Sequence, residues 1–267
     1  IYVTSRMDYL SAHINNHACA LCVEKGLQVE IPERAKVIRV LMDELTRIAS
    51  HELWWGAMAM DLGAFTPFFH AFRERETIND IMEETCGARL TMNYMVPGGV
   101  MHDIHPNFQR RVKEFIQLYK SKIHEYDELV TGNIIFQNRM KGVGMLSAED
   151  AISYGCTGPV ARGSGVSSDI RKVQPYEIYD KLEFDEVLET GCDSFARYLI
   201  RIKEMNQSIR IVEQLIDNIP EGDFQAKTKA VLKLPKGEFY TRVETARGEL
   251  GVYIVSEGGT TPYRIKF

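Results

Sequence analysis

The chain has 267 residues, 45% hydrophobic and 26% charged, with 20 glycines and 9 prolines. That is the composition of an ordinary globular protein of one large or two small domains, and it excludes a disordered or collagen-like chain. Lys plus Arg number 32 against 37 Asp plus Glu, and the net charge of −5 argues against a phosphate-neutralising surface and hence against nucleic acid as a partner.

From Ser5 to about Leu27 the apolar residues Leu10, Ile14, Ala18, Leu21 and Cys22 recur at helical spacing, with Thr4 or Ser5 as cap and Gly26 and Pro32 as stops. Pro32 and Glu33 open a second helix whose apolar residues keep the same period to about Met60. Gly63 and Pro67 break the chain before a third helix, from about Phe68 to a stop at Gly87. A Pro97-Gly98-Gly99 loop leads to a fourth helix, from Asn107 to about Thr131. Residues 140–190 read as short helices and turns, with Ser147 and Asp150 resembling a capping box. A fifth helix spans about 193–219, and from Phe239 onward alternation with turns at Arg247-Gly248 and Gly258-Gly259 predicts hairpins. The fold class is therefore α+β and mostly helical, an antiparallel long-helix bundle with a small C-terminal β-sheet. We divide the chain into a bundle, 1–222, carrying an irregular insert at 140–190, and a hairpin segment, 223–267. The start without Met and the strand-like ending TPYRIKF suggest a fragment or trimmed chain.

No run approaches the roughly 18 apolar residues of a membrane-spanning helix, and the opening lacks the basic-then-apolar order of a signal peptide. Five scattered cysteines, an odd number, suit a reducing compartment, so we place the chain on the cytoplasmic side. Cys19 and Cys22, with His13 and His17, are metal-ligand types, but on one helix the four point in divergent directions and read better as core residues. The remaining histidines, including His51 and His70, show no catalytic spacing, and the RERE run at 73–76 reads as a solvated helix face. Asp61 is the one charge between Leu53 and Phe69, so desolvation gives it either a structural partner or a functional role. Arg6 and Tyr9, three apart on the first helix, share a face, where a phenol can donate to a ligand carbonyl or simply pack.

Taken together, SRMDYLS (5–11), RVLMDELTRIASHELWWGAMAMDLGAFTPFF (39–69), FRERE (72–76), PGGVMHD (97–103), SGVSSDIRKVQPYEIYD (164–180), RYLIRIKEMNQSIRI (197–211) and RGELGVYIVSEGGTTPYR (247–264) resemble the 49-kilodalton, or D, subunit of proton-pumping NADH:quinone oxidoreductase, respiratory complex I. The resemblance runs in order over nearly the whole chain. It implies a fold related to nickel–iron hydrogenase large subunits without their metal centre, and so an enzyme subunit active only in the assembled complex. It implies peripheral attachment at the cytoplasmic face of the membrane. The implied partners are a small subunit that holds the terminal [4Fe–4S] cluster, a 30-kilodalton (C-type) subunit and a membrane-arm subunit where quinone enters. Quinone would be the substrate, NADH would be used on other subunits, and no cofactor would be held by this chain. The resemblance further implies that Tyr9 hydrogen-bonds the quinone headgroup, that Leu53 contacts quinone, that Asp61 orients a histidine beside it, and that Arg6 lies toward the cluster. That histidine would belong to an N-terminal sheet preceding Ile1. The chain departs from the family pattern at Thr91 and Met92, where many members carry a histidine near the cluster. Two other readings stay open: a non-catalytic scaffold bridging cluster and membrane subunits, and a hydrogenase-like large subunit.

Overall fold

The computed structural model describes residues 3–229 and 231–267. Five long helices, α1 (Ala12–Leu27), α2 (Glu33–Asp61), α3 (Thr66–Cys86), α4 (Phe108–Tyr126) and, after four short ones, α9 (Ser194–Ile216), form the bundle. The short helices are α5 (Ile134–Met140), α6 (Ala148–Ser153), α7 (Gly158–Arg162) and α8 (Ile170–Val173). Strands β1 (Met95–Val96) and β2 (Gly99–Val100) make a minimal hairpin around Pro97-Gly98. Strands β3 (Gly237–Thr245), β4 (Gly248–Ser256) and β5 (Arg264–Lys266) form an antiparallel sheet in the order β3-β4-β5. The mostly helical α+β class is thus correct. Among the described residues no helix is long and apolar enough to cross a membrane.

Two cores hold these elements. The larger joins α2, α3, α4 and α9, with Trp55 stacked on Tyr126 at 4.0 Å and its indole N–H donating to the Tyr198 hydroxyl at 3.2 Å. The smaller is Ile14, Ala18 and Cys22 of α1 under Val243, Val252 and Ile254 of the sheet. The Cys22 thiol donates there to the carbonyls of Phe239 and Val252, so the CALC pair is core, as read from its geometry.

Several boundaries differ from the sequence reading for local reasons. The first helix does not begin at Ser5: Thr4–Arg6 and Tyr9–Ser11 are separate 3₁₀ turns, and α1 starts at Ala12. Asp8 causes the break, because its backbone is extended and its carboxylate accepts the Leu10 N–H while Asn15 donates to its carbonyl. Arg6 and Tyr9 therefore do not share an α-helical face. Gly26 is not a stop either; it lies inside α1, where a Cβ would come within 2.6 Å of Leu234, and Gln28 in the left-handed region ends the helix. Pro67 occupies the first turn of α3 instead of breaking the chain. Ser147 does cap α6 through the Asp150 N–H, and a π turn (Asp127–Thr131) ends the fourth helix.

Glycines seat the β3–β4 turn. Gly158 has φ +62° and a Cβ there would lie 2.3 Å from the Gly248 Cα. Gly158→Ala is expected to cost about 2 kcal/mol from left-handed strain and backbone overlap together. The unfolding midpoint in denaturant measures it, and an unchanged midpoint would refute the close-approach argument.

Candidate functional site

Tyr9 stands at the start of its 3₁₀ turn, 55% exposed, and its hydroxyl has no hydrogen-bond partner among the described residues. The turn is fixed from below. Asp8 caps it and pairs with Arg247 of the β3–β4 turn at 2.5 Å, while Arg247 also reaches the Ser50 hydroxyl at 3.3 Å. Tyr9 lines a narrow hollow with Thr46 and Ala49 of α2 and Arg75, Ile78 and Asn79 of α3. The hollow encloses about 20 Å³, room for a water but not for a ring, so a ring-sized ligand could only lie against it. Arg6 is exposed on the preceding turn and donates to Ser5 at 3.0 Å.

Asp61 corrects the sequence reading. It is exposed, and it has no hydrogen-bond or ion-pair partner among the described residues. The apolar stretch around it winds about α2, turning Trp55, Gly56 and Ala59 inward and leaving the last residue of the helix at the surface. A carboxylate at a helix C-terminus faces the electronegative end of the dipole, so the local field favours a cationic or donor partner. Beside it an apolar hollow of about 180 Å³ is lined by Ala59, Leu62, Leu129, Ile135 and Phe136. Ala49, at the Tyr9 hollow, precedes Asp61 by twelve residues, which is about 18 Å of helix. Leu53, half-buried, falls between. The structure therefore ranges the candidates along α2 and does not gather them into one pocket.

Sequence reasoning missed a buried ionic lane on α2. Arg39 donates to Glu24 (2.5 Å) and Glu177 (2.8 Å), and Glu24 accepts the Gly98 N–H of the β1–β2 hairpin (2.7 Å). His17 sits between Asp43 (2.6 Å) and Glu177 (2.9 Å); burial opposes its charge, but the two carboxylates outweigh burial and raise its pKa to about 9. Next to Asp43, Glu44 accepts from Arg171, Arg47, Tyr179 and Ser208, and these hold its carboxyl down at about 2 against the penalty of burial. Arg162 bridges Glu204 (2.5 Å) and Glu244 (2.9 Å), and His51 leans on Glu204 at 2.9 Å. His17 and His51 are thus core histidines satisfied by carboxylate partners. RERE is not a solvated face: Glu74 and Arg75 are buried, while Arg73 and Glu76 face solvent. No group of three or more metal-ligating side chains occurs among the described residues.

A family model described as the respiratory-chain NADH dehydrogenase 49 Kd subunit matches residues 61–267, and the chain belongs to that family. It is 56% identical, over 99% of its length, to the C/D subunit of NADH-quinone oxidoreductase from Bacteroides thetaiotaomicron, covering 50% of that protein. It is 49% identical, over 99% of its length, to the D subunit of NADH-quinone oxidoreductase from Bacillus anthracis, covering 72% of that protein. The chain thus spans about half the length of the C/D relatives it matches.

Proposed function

We propose that the chain forms one wall of the quinone-reduction site of a proton-pumping NADH:quinone oxidoreductase, and acts as an enzyme only in the assembled complex. In this reading the Tyr9 hydroxyl donates to a headgroup oxygen as negative charge develops on it. Leu53 contacts the quinone, and Asp61 orients a histidine supplied from outside the described residues. Arg6 faces the [4Fe–4S] cluster of a small partner subunit. The surroundings are completed by a 30-kilodalton-type subunit and one from the membrane arm, and NADH is oxidised on other chains. The chain is peripheral, at the cytoplasmic face of the membrane. Reduction needs two electrons and two protons, so the wall must offer donors where the quinone oxygens become anionic.

The observation that carries the reading is Tyr9 itself, an exposed phenol with no partner among the described residues, on a turn that Asp8 and Arg247 hold in place. A hollow too small to enclose a ring fits a site completed by a second surface. The partnerless carboxylate of Asp61, at the electronegative end of α2, fits a residue whose counterpart lies on another wall.

The test is Tyr9→Phe in membranes holding the intact complex, with assembly followed on a native gel. A loss of about a hundredfold in quinone reductase activity with normal assembly is expected, the lower end for a positioned proton donor. Unchanged activity would move the headgroup elsewhere and favour the scaffold reading.

A further inference from the structure

Glu52 has no role in that reading. It is fully enclosed, and neither of its carboxyl oxygens has a hydrogen-bond partner. It lies on the core face of α2, in line with Ile48, Trp55 and Ala59. Across the α2–α3 contact, Gly56 packs on Phe68 and Ala71, and that antiparallel register sets Glu52 opposite Glu74 and Arg75. Glu74 is equally buried: Arg73 takes one of its oxygens at 2.5 Å and the other has no partner. From α4, Tyr119 and Tyr126 feel the Glu52 charge; Tyr119 donates to Asn206 at 3.3 Å, whereas the Tyr126 hydroxyl has no partner. The charges nearest α2 from α9 are already committed, Glu204 to Arg162 and His51, and Arg201 over the Trp54 ring. Arg75 carries a buried Nε without a partner and also lines the hollow beside Tyr9. Ala49, in the wall of that hollow, is one helical turn from Glu52.

We propose that Glu52 stands as a neutral acid inside the bundle, beside the Glu74–Arg73 ion pair, and that it is the local proton source for the quinone placed beside Tyr9. The second half of the proposal rests on the quinone reading above; the first does not. Arg73 compensates the Glu74 carboxylate, whereas neither Glu52 oxygen has a partner, so an ionised Glu52 would be an uncompensated buried charge and the group stays the neutral acid. Burial first, and the Glu74 charge second, push the Glu52 carboxyl well up, with Arg75 opposing. When electrons from the partner cluster make the quinone oxygen anionic, the O–H bond of Glu52 breaks and an O–H bond forms on the quinol. Arg75 faces both the carboxylate left behind and the hollow. Glu52 regains a proton before the next turnover, which closes the cycle.

The experiment uses the intact complex in membranes with Glu52→Gln, a neutral isostere of a neutral acid. Expected are normal assembly and loss of a D₂O-sensitive carboxylic-acid carbonyl band from the redox-induced infrared difference spectrum. A fall in kcat of about tenfold or more with quinone KM little changed is also expected. An assembled variant that keeps the wild-type band overturns the neutral acid, and one that keeps wild-type kcat overturns the delivery. Failure of Glu52→Gln to assemble while Glu52→Asp assembles would show that the site needs a carboxylate charge, and overturns the proposal too. Tyr9→Phe separates the two readings: its loss of activity beside an unaffected Glu52→Gln sinks the Glu52 donor alone, and its full activity sinks the headgroup placement while the infrared band still decides the neutral acid.

Discussion

Arg162→Met is expected to destabilise the chain by roughly 3–5 kcal/mol, the cost of removing one partner from a buried ion pair. The size follows from what is left behind. Arg162 is completely buried on α7 and donates to Glu204 of α9 at 2.5 and 3.0 Å and to Glu244 of β3 at 2.9 Å. Without it Glu204 keeps only His51, whose pKa burial lowers to about 4, so a neutral imidazole would be the sole remaining partner. Glu244 would keep the Ile170 N–H at 3.1 Å but lose its cation. The contact also ties the bundle to the sheet, because the Arg47 guanidinium of α2 donates to the Glu244 carbonyl at 2.8 Å. For a domain of this size the loss corresponds to a fall in Tm on the order of 10 °C. Scanning calorimetry measures it. A double variant, Arg162→Met with Glu204→Met, should recover part of the loss by removing the stranded charge, and no recovery would mean that packing and not charge set the cost.

What the sequence made legible follows from periodicity, and what it hid follows from polar residues on core faces. The five long helices, the β3–β4 turn beside Arg247 and the Ser147 cap could be read because spacing and cap chemistry are local signals. The break at Asp8 could not, since it depends on one carboxylate choosing the Leu10 N–H over the start of a helix. Asp61 was misread because an apolar neighbourhood along the chain is not an apolar neighbourhood in space: the end of α2 turns it outward. Glu52 was passed over although its signal was present, for Ile48, Glu52, Trp55 and Ala59 follow the helical period of the core face. The same rule applied to the RERE run would have turned Glu74 and Arg75 inward, toward Ile78 and Met82. The partners of the ionic lane lie far along the chain, Glu177 with His17 and Glu244 with Arg162, and no local pattern announces pairs of that separation.

The lane also makes stability depend on pH, and His17 sets the alkaline side. Its folded pKa of about 9 exceeds the ordinary 6.5, so the folded chain holds a proton that the unfolded chain has released throughout that interval. The stabilisation is complete below pH 6.5 and is lost as pH rises through 9. The 2.5-unit difference corresponds to about 3 kcal/mol for this fully buried ring. On the acid side the signs reverse. Glu177, held down at about 2 against burial by His17 and Arg39, gives stability that is present above the ordinary 4.5 and lost toward pH 2. His13 and His51, lowered to about 3 and 4 chiefly by burial, are neutral in the fold and oppose it as pH falls below 6.5. Stability should therefore peak near pH 6.5. His17→Gln removes the ring but keeps an amide able to bond Asp43 and Glu177, so it should flatten the fall between pH 6.5 and 9, weaken the Glu177 part of the acid limb and leave the part set by His13 and His51. Glu177 has φ +52° and is fixed by His17 and Arg39, so its turn should loosen as the ring deprotonates. Unfolding midpoints from pH 5 to 9.5 check the claim, and an equal alkaline slope in wild type and variant would assign that limb to another group.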